Sequence, residues 1–140
     1  MTDNRISQAL LVLRFTLGLF LLQWGAEKFV VPGNTPAIWG YFYGISIPEA
    51  SAYLFGMIEI GLALCFFLGL FPVIAYGAGV ILHSISVLVS WNQLLHPWAD
   101  PVSHLFVAGI PVLGAFGALF LLRGHDRPLF ASLSRSLHFG

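Results

Sequence analysis

Two charged residues stand inside apolar stretches of this chain and could do chemistry there. Glu59 is the only charge between Ala52 and Phe71, a stretch about as long as a helix needs to cross the hydrocarbon core of a bilayer. A lone carboxylate at that depth costs about 2.5 kcal/mol or more, so it needs a partner, a proton or water. Arg14, in the first apolar stretch, is the partner that we expect. Such a pair would fix helix register, or would act as a proton relay or a headgroup ligand.

A histidine near the middle of another apolar stretch is the third intramembrane candidate. His83 could ligate a haem, donate a hydrogen bond to a quinone carbonyl, or simply pack with one hydrogen bond satisfied. A second axial histidine at the same depth, which a haem would need, is not evident. The packing histidine is therefore the interpretation that we favour.

Two further histidines flank an acidic residue in a proline-rich stretch. His96, Asp100 and His104 are spaced four apart, which on one helix would give a metal-binding face. Pro97 and Pro101 interrupt such a helix, because proline lacks the N–H and clashes with the preceding turn. We therefore predict no metal site, and we expect Asp100 to cap a helix that begins nearby.

The composition is that of a membrane protein of one domain, residues 1–140. Hydrophobic residues make up 58% and charged residues 9%, against about 25% charged in soluble domains. A net charge of zero without a basic patch excludes nucleic acid as the expected partner. The single cysteine, Cys65, excludes an internal disulfide and paired-thiol chemistry. The first apolar run contains Arg14 and lacks a cleavage motif, so we interpret it as a retained helix rather than a signal peptide.

The distribution of apolar segments predicts an all-α integral membrane protein, an antiparallel bundle of four transmembrane helices. Pro72 can open the third helix, since proline is tolerated in a first turn, and Pro111 predicts a kink in the fourth. The segment after the first helix is aromatic and glycine-rich, which favours an interfacial or re-entrant position. The expected spans are 7–30, 49–71, 72–95 and 102–122, with an outer interfacial segment at 32–48 and a basic tail at 123–140.

Charge and aromatic residues are distributed unequally between the two ends of this bundle. The basic residues of the tail and Arg5 indicate that both termini are cytoplasmic. All four tryptophans then fall in the outer half, as an aromatic belt or as a surface for a ligand or partner. The outer candidates are Trp24, Trp39, Tyr41, Tyr43, Trp91, His96, Trp98 and His104.

Three stretches resemble the DoxX family of small four-helix bacterial membrane proteins. Leu13–Phe29 resembles the first motif of the family, which begins at an arginine and runs to a lysine. Glu59–Leu64 resembles the motif of the family's second helix, and Arg123–Leu129 resembles the motif at its C-terminal end. The positions that match the motifs are Arg14, Gly18, Gly25, Lys28 and Glu59. From the sequence alone, Lys28 and its neighbour Glu27 read as interfacial charges.

The resemblance implies a small set of functions. Relatives include the quinone-reducing membrane subunit of an archaeal thiosulfate oxidoreductase and accessory proteins of redox or oxidative-stress complexes. We therefore expect an accessory or anchoring subunit of a respiratory or redox-linked complex in the bacterial inner membrane, with lipid and membrane subunits as partners. The alternative is a quinone-interacting oxidoreductase subunit, with Arg14, Glu59 and His83 around the headgroup and quinone as the cofactor. A small-molecule transporter is disfavoured, because no inverted repeat or paired broken helices are evident.

Overall fold

A computed structural model describes residues 2–127, and four of its helical segments are long and apolar enough to cross a membrane. The protein is therefore an all-α membrane protein. Short 3₁₀ or π-helical turns lie at Trp39–Tyr43, Ser103–Ala108 and Arg123–His125. The first of these follows α2, and the second leads directly into α6, so that the fourth span runs from Ser103 to Leu121. In chain order the helices are α1 (Thr2–Val30), α2 (Asn34–Ile38), α3 (Ser51–Leu68), α4 (Pro72–Val89), α5 (Trp91–Leu95) and α6 (Gly109–Leu121).

Glycines bring α1 and α3 into backbone contact. A Cβ added at Gly25 would lie 2.8 Å from Ile60 Cγ1 and 3.1 Å from the Ile60 backbone nitrogen. A Cβ at Gly56 would lie 3.0 Å from the carbonyl oxygen of Gly25. Membrane helices associate through such close packing, because lipid tails give no hydrophobic drive between helices. Gly18 faces Phe67 in the same interface, so α1 and α3 run antiparallel.

Aromatic rings from three helices form the centre of the bundle. The Phe66 ring of α3 meets Tyr76 of α4 at a centroid distance of 5.0 Å and Phe116 of α6 at 5.7 Å, both edge to face. This arrangement suits the quadrupoles of the rings. All three side chains are fully buried. The remaining buried hydrophobic residues of this core are Leu10, Leu17, Leu21, Ala63, Ala75 and Leu119.

A tight turn joins α3 to α4. Gly69 adopts a left-handed conformation with φ of 67°, and the amide of Leu70 donates to the carbonyl of Cys65 at 2.9 Å. Glycine is favoured at this position because it has no Cβ to clash. Pro72 then opens α4, as the sequence predicts.

In the fourth span, Pro111 does not lie within a continuous α-helix, which is what the predicted kink assumed. Pro111 falls in the first turn of α6, where its missing N–H is tolerated, and the backbone instead changes from 3₁₀ to α geometry at Gly109. The predicted cap at Asp100 is confirmed. Its Oδ1 accepts hydrogen bonds from the amides of Val102 at 2.7 Å and Ser103 at 3.2 Å. Of the basic tail expected at 123–140, the part beyond Arg127 lies outside the described residues.

Candidate functional site

A buried polar cluster closes the end of the bundle at which the chain leaves α6. Arg14 Nη1 donates to Oδ1 and Oδ2 of Asp126, each at 3.2 Å, and to the carbonyl oxygen of Arg127 at 3.0 Å. The hydroxyl of Tyr76 donates to Asp126 Oδ2. The cluster therefore joins α1, α4 and the segment that follows α6. We call it the Arg14 cluster, consisting of Arg14, Tyr76 and Asp126.

The Arg14 cluster is almost completely shielded. The side chain of Arg14 has 0% exposure and that of Asp126 has 5%. Within the part of the chain that the structure describes, Nε and Nη2 of Arg14 have no hydrogen-bond partner. A buried ion pair contributes little net stability, but removing one partner leaves an uncompensated charge. The arrangement connects three chain segments.

The expected pairing of Arg14 with Glu59 is wrong, because Glu59 is bonded elsewhere. Glu59 Oε2 accepts a hydrogen bond from Lys28 Nζ at 2.7 Å. Lys28 also donates to the carbonyl of Trp24 at 3.1 Å, and its Nζ lies 5.9 Å from the centroid of the Trp24 ring. Lys28 is thus not only an interfacial charge, as the sequence had suggested. It supplies the charge that compensates the carboxylate of α3.

The Lys28–Glu59 pair lies directly beside the glycine contact between α1 and α3. A Cβ at Gly25 would be 3.2 Å from Glu59 Cβ, and one at Gly56 would be 3.1 Å from Lys28 Cβ. The small residues thus let the two charged side chains lie along closely packed helices. Of the motif positions, Gly25, Lys28 and Glu59 form one site. Gly18, about two turns earlier in α1, packs against Phe67 in the same interface.

His83 is held by the neighbouring helix. Its Nε2 donates to the carbonyl oxygen of Gly109 at 2.9 Å. Its ring lies 5.4 Å from that of Phe20 and 5.5 Å from that of Phe116. These contacts match the packing histidine that the sequence favoured. Arg14, Glu59 and His83 each bond to a different partner, so the structure does not bring them together around one headgroup.

The outer candidates divide into packed and exposed residues. The Trp39 ring stacks on Tyr43 at 4.9 Å and on Phe55 at 5.4 Å, which fixes the segment after α2 against α3. Burial raises the pKa of Tyr43, so this phenol stays neutral. Trp24 packs on Phe20 with centroids 6.3 Å apart. The exposed members are Trp24, Tyr41, Trp91, His96, Trp98 and His104.

No metal-binding group of three His, Cys, Asp or Glu side chains occurs within residues 2–127. His96 and His104 are exposed, and the oxygens of Asp100 are bonded to the start of the fourth span. Among the concavities of the described part of the chain are two shallow ones. One, of about 510 Å³, lies in the loop that contains Asp100, and the other, of about 320 Å³, lies between α1 and α6.

Comparison with known proteins adds one result to this geometry. The DoxX family model matches residues 9–91, more than half of the chain. The chain belongs to the DoxX family. No curated protein and no solved structure matches the chain.

The matched region of this DoxX protein covers α1 to α4, and with them the Lys28–Glu59 pair. It also contains two members of the Arg14 cluster, while Asp126 lies beyond it. Sequence reasoning missed Tyr76 and the roles of Asp126 and Lys28. The signal that could have identified the role of Lys28 was the spacing of Gly18 and Gly25 by seven residues, since this spacing marks the face of α1 that meets α3.

Proposed function

We propose that this protein is a non-catalytic accessory or anchoring subunit of a larger membrane complex, respiratory or otherwise redox-linked. One observation carries the proposal. Arg14, Lys28 and Glu59 of the spans are each paired with an opposite charge: Lys28 of α1 with Glu59 of α3, and Arg14 of α1 with Asp126, which follows the fourth span. A catalytic or transport site would instead aim such groups at a cavity or pathway.

Two exposed aromatic residues and an exposed leucine support a surface through which such a subunit would meet its partner. Tyr41, Trp91 and Leu95 project at the end of the bundle that holds Lys28, with exposed fractions of 75%, 58% and 66%. Gln93 Nε2 lies 3.4 Å from the hydroxyl of Tyr41, so α5 and the segment after α2 are in contact. Large, rigid aromatic side chains are enriched at protein interfaces. We call Tyr41, Trp91 and Leu95 the aromatic surface.

We place the protein in the bacterial inner membrane with both termini in the cytoplasm. The contact of Arg14 in α1 with Asp126 after α6 supports this, since it puts both ends of the described chain on one side of the bundle. Arg5, Arg123 and Arg127 lie toward that side, and the opposite end carries Lys28 already paired with Glu59. Cytoplasmic ends carry the excess of arginine and lysine.

Site-specific photocrosslinking tests the partner surface. A photoreactive phenylalanine replaces Tyr41 or Trp91 in the native membrane, and Ile74, exposed on α4 among lipid-facing residues, serves as the control position. We expect a discrete crosslinked product of fixed mass from the two aromatic positions and only lipid adducts from Ile74. Identical adducts at all three positions would show that Tyr41 and Trp91 do not form a partner-binding surface.

A quinone-interacting subunit is the second candidate, and one observation favours it. The groove between α1 and α6 is lined mainly by apolar side chains, and one of them, Phe20, contacts the ring of His83. An apolar lining suits an isoprenoid chain. Retention of quinone after extraction, lost on Phe20→Ala and kept in Trp91→Ala, would support this candidate over the first. The groove residues are Thr16, Leu17, Phe20, Pro111, Val112 and Ala115.

A further inference from the structure

The loop before the fourth span forms a concavity that the proposed function does not use. Its volume is about 510 Å³, and it is separate from the aromatic surface. Trp98 lies at the edge of this concavity. It is 90% exposed, which is the highest exposure among the large hydrophobic side chains in the described part of the chain. We call this concavity the Asp100 pocket. It is lined by Pro97, Trp98, Ala99, Asp100, Pro101 and His104.

The carboxylate of the Asp100 pocket is ionised and accessible. Hydrogen bonds from the Val102 amide and the Ser103 hydroxyl hold the pKa of Asp100 below its usual range. Oδ1 accepts two backbone amides and Oδ2 accepts only the Ser103 hydroxyl, at 2.9 Å. A carboxylate offers about four acceptor positions, so Oδ2 retains one. Neither lysine nor arginine lines the pocket, and His104 is the one basic side chain among its lining residues.

Rigid placement distinguishes this carboxylate from an ordinary surface acid. The three hydrogen bonds fix both oxygens, and Pro97 and Pro101 restrict the backbone on either side. An indole ring and a fixed carboxylate line one concavity, and these are two groups that recognise an alkylammonium ion. The carboxylate accepts its N–H or balances its charge, and the ring attracts the cation through its quadrupole.

We propose that the Asp100 pocket binds an alkylammonium group, which lies against the Trp98 ring and is compensated by the Asp100 carboxylate. The loop joins two helices at the end of the bundle where the chain leaves the bilayer. Two sources of this chemistry reach that position, the aminoethyl headgroup of a phospholipid and a free amine in solution. The site stands independently of the proposed accessory role.

Two conservative substitutions test the pocket without removing the fold. Asp100→Asn keeps the helix cap, because asparagine caps as well as aspartate, but removes the charge. Trp98→Leu keeps an apolar side chain and removes the aromatic face. Tyr53→Leu is the control, since Tyr53 is an exposed aromatic residue on α3, outside the pocket and outside the aromatic surface. Unchanged unfolding temperatures verify that each variant is folded.

The full chain is reconstituted in nanodiscs of phosphatidylglycerol with or without phosphatidylethanolamine, and the lipids retained are counted by native mass spectrometry. In parallel, ethanolamine is titrated into phosphatidylglycerol nanodiscs by calorimetry. We expect about tenfold preferential retention of phosphatidylethanolamine in the wild type and in Tyr53→Leu, lost in Asp100→Asn and Trp98→Leu.

The two arms identify the source of the ammonium group. Retention of the phospholipid without binding of ethanolamine assigns the pocket to a lipid headgroup, and saturable ethanolamine binding that Asp100→Asn abolishes assigns it to a free amine. The proposal is overturned if neither probe binds, or if Asp100→Asn and Trp98→Leu bind as the wild type does.

Discussion

A buried arginine needs an acceptor that stays beside it, and in this protein the acceptor comes from outside the span. Asp126 follows the fourth span, and the 3₁₀ turn at Arg123–His125 leads the chain back across the end of the bundle to Arg14. Tyr76 adds a third contact through its hydroxyl. A single carboxylate therefore holds together α1, α4 and the end of the described chain.

The strength of this tie can be measured with a double-mutant cycle. Asp126→Asn leaves the Arg14 charge buried without a counter-charge and should lower the free energy of unfolding by about 3–5 kcal/mol. Arg14→Met should also destabilise, and the double variant should cost less than the sum of the two, since neither charge remains. Unfolding in mixed detergent micelles gives the three values.

Arg5→Gln is the control for the cycle, because Arg5 is an exposed arginine on the same helix and should change the free energy of unfolding by less than about 0.5 kcal/mol. Strict additivity of Arg14→Met and Asp126→Asn would show that the two side chains do not interact.

The pairing of the charges could not be predicted from hydropathy, for a geometric reason. The expected pairing of Arg14 with Glu59 assumed that the predicted spans 7–30 and 49–71 end at the same level. In the structure Gly18 lies opposite Phe67, so Arg14, four residues earlier, lies opposite the turn at Phe71. Glu59, next to Ile60, lies opposite the last turns of α1 instead. The need of Glu59 for a cation was predictable from its burial in an apolar segment, but the identity of that cation depends on this register.

At the scale of the elements, the α1–α3 interface depends on glycines that approach the opposite backbone. Gly25 meets Ile60 and Gly56 meets Gly25, whereas Gly61 on α3 has nothing within 4 Å. This difference between glycines of one helix is visible only in the packed structure. The existence of the helices was predictable from long apolar runs, and the start of α4 was predictable from Pro72.

Alanine substitutions separate these glycines. Gly25→Ala should lower the free energy of unfolding by about 1–3 kcal/mol, because its methyl group would overlap Ile60 and force α1 away from α3. Gly61→Ala should have no cost, since its methyl group would enter open space. Unfolding of both variants in the same detergent makes the comparison, and equal effects at the two positions would contradict close helix contact at Gly25.

At the scale of the whole molecule, the two ends of the bundle have different chemistry. One end is closed by the Arg14 cluster and carries arginines, and the other presents the aromatic surface and the Asp100 pocket. The one-sided distribution of tryptophan made this difference predictable. Which tryptophans are packed was not predictable, because the stacking of Trp39 on Phe55 depends on where the segment after α2 lies against α3.

Labelling of single cysteines tests the orientation. In a Cys65→Ala background, Ala99→Cys places a thiol in the loop of the Asp100 pocket, and Asn4→Cys places one near the start of α1, both at exposed positions. A membrane-impermeant maleimide should label Ala99→Cys in intact spheroplasts and Asn4→Cys only after lysis. The reverse pattern would place the aromatic surface in the cytoplasm.

Native mass spectrometry of the protein extracted from its own membranes in mild detergent tests the accessory role most directly. The account predicts a larger assembly of fixed stoichiometry without bound quinone, which dissociates when Tyr41 and Trp91 are both changed to alanine. The control pair Val73→Ala and Ile74→Ala, exposed on α4, should leave the assembly intact. A protein that runs free of partners and retains quinone would contradict the account and would favour the quinone-interacting subunit instead.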